Sequence, residues 1–206
     1  MLSRYLQIFS CVLICVFTGN TFAEMTIENL IFDDSKPFHL KILDALPDEA
    51  KIQIGEDDAK NTIIEFMDYF CGYCKKIHPE LVELANERHD VRVIFLQYPI
   101  LSESSKVIAK MVIAANYQQK GFELHHAIFS ISGSLTQTKL NQAIKESGVN
   151  SIKLKIDSSK DEMEKIIVLS SFLAGGIGAR GTPSIFVNEI FTPGYISKEQ
   201  IINMLN

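Results

Sequence analysis

The chain has 206 residues, 47% of them hydrophobic, with 20 lysines and arginines against 25 aspartates and glutamates and a formal net charge of −5. That length and apolar content suit one compact domain with a sizeable core, and they exclude collagen-like, disordered and repeat architectures. Mild negative charge without a basic stripe argues against a nucleic-acid partner.

The first 23 residues read apart from the rest. Arg4 precedes an apolar run from Leu6 to Phe17, and Thr18 to Ala23 ends in small residues suited to cleavage after Ala23. This is the pattern of a signal peptide at 1–23, which would place the mature protein in the periplasm or otherwise outside the cytoplasm. The run falls short of the about 20 apolar residues that a membrane span needs; an uncleaved anchor is the alternative. Of the four cysteines, Cys11 and Cys15 would leave with the signal. Only Cys71 and Cys74 then remain, two residues apart, which suits thiol exchange better than a scattered disulfide framework.

Residues 24–50 form an N-terminal arm. Ile27, Leu30 and Ile31, then Ile42, Leu43 and Leu46, allow short amphipathic helices broken at Lys36-Pro37. The arm either packs on the domain or assembles subunits into a homo-oligomer.

From Lys51 the chain alternates as a first strand to Ile54, and a polar turn follows from Gly55 to Asn61. Thr62 to Met67 reads as a buried strand rich in β-branched residues. The helix after Cys71 carries Ile77, Leu81, Leu84, Ala85 and Arg88 on one face, with a bend expected at Pro79. Val91 to Leu96 closes a β-α-β unit with the cysteines at its strand-to-helix crossing, where chemistry collects in open α/β sheets.

A helical block follows. Val107, Ile108, Met111, Val112 and Ala115 form one face, with Gly121 as the terminator. Phe122, Ile128 and Phe129 mark a second helix. Thr136 caps a third that closes at Gly148, and Ser159 with Glu162 reads as a capping box for a fourth running to Gly175-Gly176. Ser184 to Asn188 and Ile190 to Thr192 then form a hairpin, although Asn188-Glu189 stands where Asn-Gly is favoured. Ser197 with Gln200 caps a last helix.

The chemistry centres on Cys71-Gly72-Tyr73-Cys74. A cysteine pair at a helix start lowers the first thiol's pKa, because free backbone N–H groups and the helix dipole favour the thiolate. Thiolate is the attacking species in disulfide exchange, and a second thiol nearby resolves the mixed disulfide. A four-residue loop constrains the unfolded chain little, so a purely structural disulfide is a weak alternative. Zinc would want four ligands; Cys71 and Cys74 offer two, with His78, His125 and His126 as further candidates. The remaining histidines, His39 and His89 among them, read as unassigned surface or capping groups.

Glu65 to Cys74, Glu-Phe-Met-Asp-Tyr-Phe-Cys-Gly-Tyr-Cys, resembles the active-site segment of DsbA-like thiol-disulfide oxidoreductases of the thioredoxin superfamily. Gly178 to Asn188, containing Thr182-Pro183, is similar to the family's cis-proline segment. The resemblance covers roughly residues 50–206 and implies an α/β, thioredoxin-like fold with an all-helical insertion at about 100–178, in a domain spanning 51–206. It implies Cys71 as nucleophile, Cys74 as resolving thiol, their reversible disulfide as the redox centre, and no cofactor beyond that pair. Glu65 would move the proton of the buried thiol, a task that also explains a carboxylate in an apolar strand. Asp68 would support the loop. Thr182, Pro183, Gly72 and Tyr73 would meet the substrate, and Gly72-Tyr73 would tune the redox poise. Cys-Gly-Tyr-Cys itself is similar to the motif of DsbC-type isomerases, whereas the helical insertion is closer to the oxidase branch. The partners implied are exported proteins with cysteines and a membrane redox protein. The rival reading is a metal-binding or copper-delivery protein on the same fold, with Cys71, Cys74 and His78 as ligands.

Overall fold

The computed structural model describes residues 36–205. The signal peptide expected at 1–23 and the first part of the arm, to residue 35, lie outside the described residues. The rest of the arm contains helix α1, Phe38–Asp44, which starts immediately after Pro37 and buries Ile42 and Leu43. Leu46 is buried as well. This part of the arm packs on the domain.

Five strands form one sheet in the order β1-β3-β2-β4-β5: β1, Ile52–Ile54; β2, Asn61–Met67; β3, Val91–Gln97; β4, Ser184–Val187; β5, Ile190–Pro193. β2 and β3 pair in parallel across helix α2, Gly72–Glu87, and the other pairs are antiparallel. Every residue of β2 is buried, most of them apolar or β-branched, with Asn61 and Glu65 as the polar exceptions. Ile77, Leu81 and Leu84 of α2 are buried too, each contributing about 2 kcal/mol of apolar burial. Arg88 departs from the expected stripe. It caps the end of α2 and grips Asp90 with Nε and Nη2 at 2.9 and 2.6 Å, because a guanidinium pairs with a carboxylate more cheaply at the surface than it enters a core.

Between β3 and β4 lies the helical insertion: α3, Glu103–Asn116; α4, Gly121–Phe129; α5, Gln137–Glu146; α6, Ser151–Ser158; α7, Asp161–Gly176. Gly121 opens α4 rather than ending α3. A Cβ there would fall 2.4 Å from Asn116 Oδ1. Asn116 in turn donates to the carbonyls of Asp48, Glu49 and Lys51, tying the insertion to the arm. α6 is an addition to the helices read from sequence, capped by the Asn150 side chain on the N–H of Lys153. It displaces the capping box expected at Ser159. That residue instead ends α6, and its hydroxyl donates to the Ile156 carbonyl. Thr136 caps α5 as read.

The hairpin turn is held by Asn188. It takes a φ of 51°, accepts the Thr62 N–H on Oδ1, and donates from Nδ2 to Asn61 Oδ1. Asparagine tolerates this left-handed backbone better than most residues, which is why Asn-Glu serves here. Helix α8, Lys198–Ile202, carries the Ser197–Gln200 capping box. Among the described residues no helix is long and apolar enough to cross a membrane.

Candidate active site

Cys71 is the N-cap of α2, and its Sγ accepts the backbone N–H of Cys74 at 3.4 Å. Both cysteines are free thiols, so this is the reduced form. Cys71 is 8% exposed and Cys74 is fully buried, an asymmetry that follows from one being at the helix tip and the other a turn inside. From the far end of the chain, the loop before β4 brings in Thr182-Pro183, joined by a cis peptide bond. The Cys71 thiol donates to the Thr182 carbonyl at 3.1 Å.

The two thiols are electrostatically unlike. Cys71 is lowered to about 5, first by a hydrogen bond from Cys74, against the opposing effect of burial; the Thr182 side chain and the backbone N–H groups of Cys74 and Tyr73 add to it. Cys74 is pushed far up, chiefly by burial. Glu65, 1% exposed on β2, is raised to about 8 by burial, partly offset by its hydrogen bond with Cys74. Its Oε1 has no partner. At neutral pH this carboxyl is therefore mostly protonated and sits beside a thiol that must gain or lose a proton.

Asp68 is the buried node of the site. Its Oδ1 accepts the Phe70 N–H and the Ser105 hydroxyl, both at 2.8 Å, and its Oδ2 accepts the Leu101 N–H at 2.9 Å. One carboxylate thus joins the loop before Cys71 to the loop after β3. Phe70, Ile100 and Leu101 project as exposed apolar side chains from these loops. Tyr73, 62% exposed, lies 5.8 Å from Tyr195, with the Lys76 ammonium 4.1 Å over the Tyr195 ring. Tyr195 is fixed by its hydroxyl, which donates to Glu80 Oε1 at 3.0 Å.

The histidines correct the sequence reading. His39, read as a surface or capping group, is buried, and His78, His125 and His126, offered as candidate metal ligands, form one cluster. His78 and His125 are buried, and their ring centroids are 4.8 Å apart. His78 Nε2 meets His126 Nδ1 at 2.9 Å, and His125 Nδ1 meets the Tyr69 hydroxyl at 2.8 Å. One signal for this was legible: His78 lies one turn after Cys74, on the same buried helix face. Its partners come from the insertion, and Tyr69 was passed over altogether. Among the described residues no group of three or more His, Cys, Asp or Glu side chains is placed to hold a metal ion.

The family model described as Thioredoxin matches residues 48–206. The chain belongs to this thioredoxin family. A thioredoxin-like oxidoreductase from Silicibacter pomeroyi DSS-3 is 30% identical, with a TM-score of 0.70, covering 75% of this chain and 90% of its own. The catalytic domain of Proteus mirabilis ScsC is 27% identical, with a TM-score of 0.70 and coverage of 81% and 93%. The thiol-disulfide exchange protein alpha-DsbA2 from Wolbachia pipientis, at 24% identity, TM-score 0.70 and coverage of 80% and 90%, shares the fold. No curated protein matches the chain. The thioredoxin-like fold with its helical insertion, and the resemblance to DsbA-like proteins, are thereby established. These likenesses support a general role in disulfide redox chemistry.

Proposed function

We propose that this protein is an exported thiol-disulfide oxidoreductase that passes its Cys71–Cys74 disulfide to cysteines of other exported proteins. The observation that carries this reading is the placement of Cys71: an N-cap thiol lowered to about 5, beside the Thr182 carbonyl and above a buried Cys74. A substrate thiolate attacks Cys71 Sγ, the Cys71–Cys74 bond breaks, and Cys74 leaves with the electron pair and takes a proton from Glu65. The substrate's second thiolate then attacks its own sulfur in the mixed disulfide, releasing oxidised substrate and the Cys71 thiolate. Tyr73, Gly72, Thr182 and Pro183 line the approach, and an extended substrate segment can pair with the backbone at Thr182.

The thiolate supports the oxidising direction. Stabilising Cys71 as an anion favours the reduced form, which makes the disulfide the oxidant. Reoxidation requires an outside acceptor, which we assign to a membrane redox protein. The signal peptide at 1–23 supports export to the periplasm, and the domain at 51–206 carries the whole reaction without a cofactor beyond the cysteine pair. Residues 24–35 remain the candidate for assembling a homo-oligomer. The Gly72-Tyr73 dipeptide favours a second reading, disulfide isomerisation by the reduced protein.

The deciding experiment offers the oxidised mature protein to reduced ribonuclease, and the reduced protein to scrambled ribonuclease. Recovery from the reduced substrate alone supports the oxidase. Recovery from the scrambled substrate makes the protein an isomerase. A Cys71→Ser variant with full exchange activity would overturn both readings.

A further inference from the structure

The reaction proposed above leaves one proton without a route to solvent. Cys74 is fully buried and Glu65 is 1% exposed, so a proton that passes between them must cross protein to reach water. We propose that Tyr69, His125, His78 and His126 form a proton relay connecting the buried Glu65–Cys74 pair to the surface through the helical insertion. The inference rests on the disulfide-exchange reading.

The outer end is His126, exposed on α4, whose Nδ1 meets His78 Nε2 at 2.9 Å. Deeper in, His125 Nδ1 meets the Tyr69 hydroxyl at 2.8 Å. The two nitrogens left over, His78 Nδ1 and His125 Nε2, are buried and have no partner. They belong to adjacent rings set edge to face at 77°, with centroids 4.8 Å apart, and the relay passes the proton between them. At the inner end, Tyr69 follows β2 by two residues and interacts electrostatically with Gln97, Glu65 and Asp68. Gln97 and Phe95 are two residues apart on β3, and Phe95 is the register partner of Glu65, so Gln97 shares a sheet face with Glu65. Both polar atoms of the buried Gln97 side chain lack a well-formed hydrogen bond.

Buried polar atoms without partners cost about 1–3 kcal/mol each, so they are rare and call for a reason. Of the seven among the described residues, five lie along this one track: Glu65 Oε1, the Gln97 pair, His125 Nε2 and His78 Nδ1. Packing does not supply the reason. His78 and His125 lie against Phe95 and Phe129, where apolar side chains would fill the space without orphaned nitrogens.

The protons balance. When Cys74 leaves the disulfide as a thiolate, Glu65 gives it a proton and is reprotonated through Tyr69, His125, His78 and His126 from solvent. Each neutral imidazole accepts on one nitrogen and releases from the other, so no charge lodges in the apolar cluster. In the reverse direction, Cys74 gives its proton to Glu65 and attacks the mixed disulfide at Cys71, displacing the bound thiolate. The titratable groups around the track are Glu65 on β2, Asp68 and Tyr69 in the following loop, Lys75 and His78 on α2, and His125 and His126 on α4. Lys75 donates its ammonium to the Ile131 carbonyl.

The test reacts reduced protein with oxidised glutathione and follows, by acid quench and mass spectrometry, the mixed disulfide at Cys71 and its resolution by Cys74. His126→Ala, at an exposed position, should prolong the mixed disulfide about tenfold or more and enlarge the solvent isotope effect of resolution. Imidazole in the buffer should restore the rate, and the pH profile of Cys71 alkylation should stay that of the wild type. His125→Phe should show the same delay without imidazole rescue. Resolution by His126→Ala within twofold of wild type, with an unchanged isotope effect, would overturn the relay while leaving disulfide exchange intact. A wild-type protein that forms no mixed disulfide would instead sink the exchange reading, and the relay with it.

Discussion

The Thr182 carbonyl accepts the Cys71 thiol at 3.1 Å, across a sequence separation of 111 residues. That contact joins the two halves of the site: the helix tip that makes a thiolate, and the loop beside which a substrate strand would lie. Cys71 is thus held between a backbone acceptor and the donors of its own helix.

The lowered Cys71 thiol has a kinetic and a thermodynamic signature. With a value of about 5, it is about 99% thiolate at pH 7. Iodoacetamide labelling of the reduced protein should therefore titrate near pH 5, and Thr182→Val should move that midpoint upward. Because the folded value lies below the ordinary one, the thiolate stabilises the reduced fold fully above the ordinary thiol range. That contribution is lost as pH falls through about 5. In urea unfolding, reduced wild type should gain on Cys71→Ser between pH 5 and pH 9. A constant difference would contradict the assigned thiolate.

Glu65 carries the opposite sign. Its folded value of about 8 lies above the ordinary carboxyl value, so its contribution is fully present below about pH 4.5 and is lost as pH rises through about 8. Glu65→Gln should remove this loss, making the variant more stable relative to wild type at pH 9 than at pH 6. The same variant should slow resolution of a mixed disulfide by about 10- to 100-fold, because Cys74 loses its proton acceptor. Wild-type resolution rates in Glu65→Gln would remove Glu65 from the mechanism.

Asp68 is a matter of architecture. Asp68→Ala would strand the N–H groups of Phe70 and Leu101 and the Ser105 hydroxyl, at a cost of about 3 kcal/mol and a fall in Tm of about 10 °C. Asp68→Asn, which keeps acceptor capacity, should lose less. Differential scanning calorimetry of the two variants checks this; equal losses would mean that the three bonds do not carry the loop.

The exposed face beside Cys71 should govern substrate affinity rather than thiol chemistry. Tyr73→Ala removes the ring that packs near Tyr195, and should raise KM for reduced peptide substrates several-fold with little change in iodoacetamide reactivity. A change in kcat alone, with KM untouched, would argue against contact with substrate.

Much of this molecule was legible in one dimension. The β-α-β unit was visible because β2 and β3 are mostly apolar runs rich in β-branched residues on either side of a 3.6-residue stripe. The cysteine pair announced itself by spacing and by its place at a helix start. Asn150 hid α6, since Asn caps helices and also makes ordinary turns, and the short helix has a weak apolar face. Ser159 misled for the same reason: its hydroxyl can cap a following helix or close a preceding one.

By itself, the sequence determined local periodicity, the helix-tip thiol and the thioredoxin-like order of elements, because these depend on neighbours in the chain. Only the tertiary structure decided what surrounds the thiols. The Thr182 contact, the sealing of Glu65, the three donors on Asp68 and the joining of His78 to His125 and His126 all pair residues distant in sequence. Their pKa shifts arise from burial and from hydrogen bonds, and both exist only once the chain has closed around them.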